Sequence, residues 1–237
     1  MVFTAPATLG GGIAYDLKKP AGSPTYILSK TGWAVTSTEV LSGTFVSSDT
    51  NSSTKTLGYD IVAYPGSLPA PGTYSVTVTA SLYKSSLPNA NTFVQSKSMI
   101  ITAVVGSRFD LSIVAVDAPF SLTSTSAALS FGILQEGITR TIDAIARSNA
   151  HYTLAISSAN GGVMRNADPL DNTSLAYSFS SNGQVFSLAA QAAIAVNANS
   201  TGMTGARYHL AFTILPFAEL PTEGTYADTL TLTVSAP

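Results

Sequence analysis

Residues 68–82 read LPAPGTYSVTVTASL, and residues 220–234 read LPTEGTYADTLTLTV. Aligned without a gap, the two stretches share Leu, Pro, Gly, Thr, Tyr, Thr and Thr. After the shared tyrosine, apolar side chains alternate with Thr and Ser, and a period of two residues predicts a strand with one buried face. The repeat therefore predicts two related domains, each containing a strand of this type.

The same alternation recurs through the chain, in the stretches that begin at Phe109, Ile138, Tyr152 and Leu175. Gly-, Pro- and Asn-containing turns separate these stretches at short spacing. Many short strands that each bury one face are typical of antiparallel sheets packed as a sandwich. We therefore predict an all-β chain with two tandem immunoglobulin-like β-sandwich domains. Only Gln184–Val196 stays ambiguous, because its alanines would also tolerate a helix.

The domain boundary is predicted near Gly106–Ser107, which gives domains of residues 1–106 and 107–237. After the first copy of the repeat, the chain continues through another strand-like stretch, Thr92–Val105. After the second copy, only Ser-Ala-Pro remains in this sequence, at 235–237. We therefore expect the second domain to lack its last strand and to expose an open sheet edge over an apolar groove, which would need a partner.

Composition excludes several classes of function. The 237 residues hold 11 Lys and Arg against 13 Asp and Glu, with a net charge of −2. Without a basic cluster, we expect no nucleic-acid partner. The absence of cysteine excludes disulfides, thiol catalysis and Cys-based zinc sites. Few charges and many Ser and Thr favour an exported surface protein.

Four phrases of the second half, in this order, resemble the spore coat protein U domain, the pilin module of archaic chaperone–usher pili. They are LSFGILQEG at 129–137, RSNAHYTLAISSANGGVM at 147–164, LAYSFSSNGQ at 175–184 and PTEGTYADTLTLTV at 221–234. The resemblance covers most of residues 108–237. The first half matches only weakly, mainly through PGTYSVTVTASLY at 71–83. This chain departs from the family in having no cysteine, since such pilin domains commonly carry a disulfide.

The resemblance implies a sandwich without its last strand, which accepts a donor strand from another protein by β-augmentation. It implies three partners: a periplasmic chaperone, an outer-membrane usher and an adjacent pilin subunit. It also implies a secreted protein that reaches a cell-surface pilus through the periplasm. We expect the groove to be lined by Leu111 and Ile113 on the first strand and by Leu230, Leu232 and Val234 on the last. The second domain alone should then be marginally stable.

The leading interpretation is a pilus tip subunit that adheres to a surface or receptor, as in biofilm or host attachment. The candidate contacts of the first domain are Trp33, Leu68 and Leu87. The alternative is a structural pilus or spore-coat-like subunit without a dedicated ligand site, in which Val2–Ala7 would act as a donor strand. This segment alternates poorly and contains Pro6, which favours the tip position.

No catalytic, cofactor or metal site is expected. The sequence lacks a nucleophile motif and a prominent carboxylate pair, so we predict that the protein is not an enzyme. His151 and His209 have no metal-binding motif around them, and Asp168 and Asp171 do not match a calcium loop. Tyr74 and Tyr226 occupy the same place in the two repeats. We interpret them as structural, each anchoring the preceding connection through its hydroxyl as in a tyrosine corner.

Overall fold

The computed structural model describes residues 1–20, 25–30, 39–46, 48, 53–64, 68–84 and 92–237. The chain divides into two compact units, Met1–Gly106 and Ser107–Pro237, called unit 1 and unit 2 below. The architecture is all-β, as the alternation predicted. Among the described residues, no helix is long and apolar enough to cross a membrane.

Unit 1 is built from two sheets. Its strands are β1 (Val2–Ala5), β2 (Thr8–Leu9), β3 (Ile13–Lys18), β4 (Leu28–Lys30), β5 (Asp60–Ala63), β6 (Gly72–Tyr83) and β7 (Phe93–Val105). One sheet has the order β4-β1-β6-β7, and the other has the order β2-β3-β5. Both sheets contribute to one core, with Phe3 from β1, Leu17 from β3 and Val78 from β6. Burial of one face of each sheet in a shared core is the arrangement of a β-sandwich.

The β6–β7 hairpin carries the first copy of the repeat. The two strands pair antiparallel along nearly their whole length, from Gly72↔Val105 to Tyr83↔Phe93. Val76 and Val78 are buried, and Ile101 of β7 joins the same core. Leu82 was predicted on this buried face but is 38% exposed, because it lies at the end of the strand where the core cluster no longer covers it. The predicted strand at Thr92–Val105 is confirmed.

Unit 2 also has two sheets. Its strands are β8 (Phe109–Val114), β9 (Thr139–Ser148), β10 (Tyr152–Ser158), β11 (Val163–Asn166), β12 (Ser174–Ser181), β13 (Gln184–Phe186), β14 (Ala192–Ala198), β15 (Ala206–Ile214), β16 (Tyr226–Ala227) and β17 (Leu230–Ser235). The larger sheet has the order β16-β11-β12-β15-β9-β8, with β13 paired to β12, and the smaller sheet has the order β14-β10-β17.

The order of strands in unit 2 matches an immunoglobulin sandwich. The neighbours β8, β9, β15 and β12 correspond to strands A, B, E and D, and β10 and β17 correspond to C and F. Side chains of both sheets share one core, and Tyr152 of β10 meets Tyr208 of β15 there, with 2.7 Å between their hydroxyl oxygens. Strand β17 lies at an edge of the smaller sheet, at the position next to which an immunoglobulin domain has strand G.

One detail of unit 2 differs from the sequence-based expectation, and another settles the ambiguity between strand and helix. The second repeat is not one continuous strand, because the chain changes sheets at Asp228–Thr229. Strand β16 pairs with β11 in the larger sheet, whereas β17 pairs with β10 in the smaller one. The ambiguous stretch Gln184–Val196 contains strands β13 and β14 and no helix.

Candidate strand-acceptor edge

The outer edge of β17 carries main-chain groups that its own sheet does not use. The amide of Ala159 donates to the Thr229 carbonyl at 2.9 Å, and the β10–β17 ladder continues this register with Ser157↔Thr231 and Ala155↔Thr233. Odd-numbered residues of β17 thus point their main-chain groups toward β10, since these groups alternate sides along a strand. The main-chain groups of Leu230, Leu232 and Val234 point away from β10. Within unit 2, where the structure describes every backbone, no strand pairs with this edge.

Strand β8 forms the facing edge of the larger sheet. It pairs with β9 on one side only. The amide of Ile113 points away from β9 and donates to the Ser124 carbonyl at 2.7 Å. By the same alternation, the main-chain groups of Phe109 and Leu111 also point outward. The outer edge of β8 is therefore covered near Ile113 by the chain that follows it.

The five predicted groove residues lie on these two edges. Each is half-buried and packs against the core of unit 2: Leu111, Ile113, Leu230, Leu232 and Val234. Their side chains face the core while their main-chain groups face outward. A strand that docks here would therefore gain both ladder bonds and apolar burial, which is the chemistry of β-augmentation.

The two edges are too close for a strand to pair with both along their full length. Such a strand would need about 9.6 Å between them, twice the spacing of neighbouring strands. Cα atoms of β8 and β17 approach within 8 Å, and the Ile113 amide is already bonded. The outer edge of β17 is therefore the longer stretch of unused ladder groups, whereas the edge of β8 is occupied at Ile113.

Asp228 fixes the point where the chain enters β17. Its carboxylate accepts hydrogen bonds at 2.6 Å from the Ser158 and Tyr177 hydroxyls, and at 2.8 Å from the Thr229 amide. The amide of Asn160 donates to it as well, at 3.2 Å. Burial, and then the hydrogen bond to Asp228, raises the pKa of Tyr177, so that the hydroxyl stays protonated and donates. Asp228 thus joins both sheets at the switch between β16 and β17.

A tyrosine anchors the connection before each repeat strand. The Tyr74 hydroxyl donates to the Ala70 carbonyl at 2.6 Å. The Tyr226 hydroxyl donates to the Thr222 carbonyl at 3.0 Å. In both units the acceptor lies four residues before the tyrosine. The structural interpretation of these two residues as a tyrosine corner is confirmed.

The long connection between β8 and β9 supplies further cover for the core, which the sequence did not predict. Leu129, Phe131 and Leu134 pack against the same core cluster as the groove residues. Arg140 holds this connection, with Nε donating to the Ser130 carbonyl at 2.9 Å. Because these residues lie in a stretch without regular structure, no periodicity in the sequence marks them as buried.

The candidate tip contacts are only partly placed. Trp33 and Leu87 lie outside the described residues, and Leu68 is half-buried in the connection before β6. Among the described residues, no three His, Cys, Asp or Glu side chains are grouped so that they could hold a metal ion. His209 instead lies on β15, where its Nδ1 is 2.6 Å from an oxygen of the buried Asp143.

The N-terminal segment is part of the sheet of unit 1. Strand β1 pairs with both β4 and β6, and Val2, Phe3 and Ala5 are buried. As it is folded here, Val2–Ala5 is committed to its own domain and is not a free donor strand. A deletion of this segment would destabilise unit 1, so it could not test a donor role.

Comparison with known proteins yields several similar solved structures, among them two complexes of fimbrial proteins. One is a chaperone–tip adhesion subunit pre-assembly complex from archaic chaperone–usher Csu pili of Acinetobacter baumannii, with 17% identity, a TM-score of 0.41, and coverage of 76% of this chain and 65% of that chain. The other is a chaperone–tip adhesin complex of CFA/I fimbriae biogenesis, with 11% identity, a TM-score of 0.37, and coverage of 95% of this chain and 69% of that chain. At these levels the two likenesses assign no function. No family model and no curated protein sequence matches the chain.

Proposed function

We propose that this protein is a non-enzymatic subunit of an archaic chaperone–usher pilus, placed at the tip. In this proposal, unit 2 accepts a donor strand at the edge of β17, first from a periplasmic chaperone and then from the adjacent subunit. Unit 1 completes its own sandwich with β7 and contacts a surface or receptor. The proposal draws on the sequence resemblance to spore coat protein U domains and on the open edge of β17.

One observation carries the proposal. Two copies of one sequence repeat, anchored by equivalent tyrosines, both form strands, yet β6 has a strand on each side and β17 has a strand on one side only. The outer edge of β17 presents Leu230, Leu232 and Val234, each half-buried. An unpaired edge over half-buried apolar side chains is a site for strand addition.

The energetics favour a tightly held donor. Burial of three or four apolar donor side chains contributes about 1.5–3 kcal/mol each, and each new ladder bond adds about 0.5–1.5 kcal/mol. These gains are comparable with the whole stability of a small domain. Unit 2 should therefore be marginal alone and strongly stabilised once the strand is in place.

The tip position is supported by the state of the N-terminal segment. An internal subunit needs a segment that leaves its own domain and enters the next one. Here Val2–Ala5 pairs on both sides within unit 1 and contributes buried side chains. Val2–Ala5 itself is therefore not available as a donor strand for a further subunit.

Hydrogen exchange on the purified full chain tests the proposal. We expect fast exchange in residues 229–234 and 109–116 and slow exchange in residues 76–82, because only β6 has a strand on both sides. Addition of the cognate periplasmic chaperone should slow exchange in unit 2 and leave unit 1 unchanged. Equal protection of the two units in the chain alone would mean that unit 2 closes itself, and would reject the acceptor role.

A further inference from the structure

A cavity of about 410 Å³ opens on the outer face of unit 2, on the side of the larger sheet away from the core. Along β9, Ile142, Ala144 and Ala146 enter the core cluster. The intervening side chains, which include Ile145 and Arg147, therefore point to the outer face. Phe120, from the β8–β9 connection, and the turn at Thr204–Gly205 complete the walls. The cavity is separate from the edge of β17, because it lies on the opposite face of the larger sheet.

Two ion pairs lie near Arg147 on this face. Arg108 pairs with Asp110 at 2.9 Å. Arg207, which lines the cavity, pairs with the fully buried carboxylate of Asp143. Asp110 is also the cross-strand neighbour of Arg147, but no carboxylate of the described residues forms an ion pair with the Arg147 guanidinium. The Arg147 side chain makes no hydrogen bond to any residue that the structure describes, and its Nε is buried without an acceptor.

The Arg147 side chain is positioned to bind an anion. Its guanidinium carbon lies 3.7 Å from the centroid of the Phe120 ring, so one face of the guanidinium is stacked on the aromatic ring. Stacking leaves the in-plane N–H groups available, and a guanidinium presents these groups as a fork that matches a carboxylate. The Nε–H is itself closed to solvent, so an incoming anion would pair with the Nη groups of this half-buried side chain.

The backbone gives the cavity its shape at Gly205. This residue has φ +82°, and a Cβ there would lie 2.8 Å from Cγ2 of Ile145 and 3.0 Å from Cγ of Arg147. Only glycine allows the turn to approach these two side chains so closely. The walls formed by Phe120 and Ile145 are apolar, which suits a ligand with an apolar body beside its charge.

We propose that this cavity binds a small organic carboxylate, whose charged group pairs with Arg147 and whose apolar part packs on Phe120 and Ile145. The site does not depend on the edge of β17. It would remain if unit 2 proved to be self-closed, so the failure of one proposal would not decide the other.

The test is a titration of the ¹⁵N-labelled full chain with sodium benzoate, followed by NMR. We expect saturable shifts at the amides of Thr204 and Gly205 and at the Nε–H of Arg147, with roughly tenfold weaker binding of the neutral isostere benzamide. Equal binding of benzamide, or no saturable shift, would overturn the proposal. Tighter binding of inorganic phosphate than of benzoate would also overturn it, because the site would then select a tetrahedral anion.

Variants assign the interaction to one side chain. Arg147→Gln should weaken benzoate binding by roughly tenfold or more, and Arg147→Lys should weaken it less, because charge is kept while the planar fork is lost. Arg165→Gln is the matched control, since Arg165 is exposed on β11 and does not line the cavity; it should leave binding unchanged. Unaltered binding in Arg147→Gln would rule out Arg147 as the anchor. Should that variant fail to fold, the comparison of benzoate with benzamide on the unaltered chain still decides.

Discussion

Strands β6 and β17 contain the two copies of one repeat, but their neighbours differ. Strand β6 has β1 on one side and β7 on the other, whereas β17 has β10 on one side and no strand on the other. In β6, Val78 is fully buried; the aligned residue of β17, Leu230, is only half-buried. The local pattern therefore determines that a strand forms and which of its faces is apolar. Whether that face is fully covered depends on the segment that lies next to it.

Polar substitution in the open edge should have the largest effect. In Leu230→Asn/Leu232→Asn, two of the three β17 side chains that a donor strand would cover become amides, and about 1.5–3 kcal/mol of burial is lost at each. We expect chaperone affinity to fall by about 100-fold or more, measured as the amount of complex recovered from the periplasm. The control, Thr231→Asn/Thr233→Asn, changes the exposed face of the same strand and should leave recovery intact. Normal recovery of the Leu variant would contradict the acceptor role.

Unit 1 should depend on its own closing strand instead. Ile101 of β7 is 9% exposed, and its neighbour Ile100 is 71% exposed. Ile101→Ala should lower the stability of unit 1 by about 2–5 kcal/mol, and Ile100→Ala by less than about 0.5 kcal/mol. Native-state hydrogen exchange of β6 measures both values in the full chain. Equal effects of the two substitutions would mean that β7 does not close the core.

The two tyrosine corners offer a matched pair of smaller changes. Tyr74→Phe removes one hydrogen bond, to the Ala70 carbonyl, and should cost about 1 kcal/mol. Tyr226→Phe removes the bond to the Thr222 carbonyl and a contact of 2.8 Å with the Thr173 hydroxyl. We therefore expect the larger loss of thermal stability in Tyr226→Phe. A larger loss of thermal stability in Tyr74→Phe would contradict this order, which rests on the number of hydrogen bonds that each substitution removes.

Acid should distinguish the units through Asp143, a fully buried carboxylate on β9 of unit 2. Burial alone would raise its pKa, but hydrogen bonds from the Asp117 amide, Arg207 and His209 outweigh burial and hold the pKa below 3.8. A lowered pKa in the folded state means that this stability is complete above the unfolded value and is lost as pH falls through the folded value.

The loss should not exceed about 1.4 kcal/mol per pH unit for this one group. Acid titration of hydrogen exchange in β9 and β15 measures it. Asp143→Asn should be less stable at neutral pH, because Arg207 loses its partner, and should show a shallower dependence below pH 4 or so. Parallel acid profiles for this variant and the unaltered chain would show that Asp143 does not control the acid response.

Much of the fold could be predicted from the sequence because its signals are local. A period of two residues marked β6, β8, β10 and β12, and equivalent tyrosines in the repeats predicted the two corners. Features that depend on distant residues were missed. The switch of sheets at Asp228 depends on hydroxyls of Ser158 and Tyr177, which are 70 and 51 residues away in the chain.

The cavity beside Arg147 shows the same limit. Its walls come from three separate parts of the chain, at residues 119–120, 145–147 and 204–207. No spacing in the sequence brings Phe120 and Arg147 together, because they meet only when the β8–β9 connection folds over the outer face of β9. The absence of a carboxylate partner for Arg147 could be established only from the folded structure.

The connection between β6 and β7 has a consequence for the order of events during maturation. The chain leaves β6 at Tyr83 and enters β7 at Phe93, so the closing strand is tethered to its own template. A short tether holds two segments at an effective concentration in the millimolar range, and closure of unit 1 is therefore a first-order step that dilution cannot slow. A strand supplied to β17 by another protein would arrive in a second-order step. The lifetime of unit 2 without that strand would then depend on the concentration of that protein.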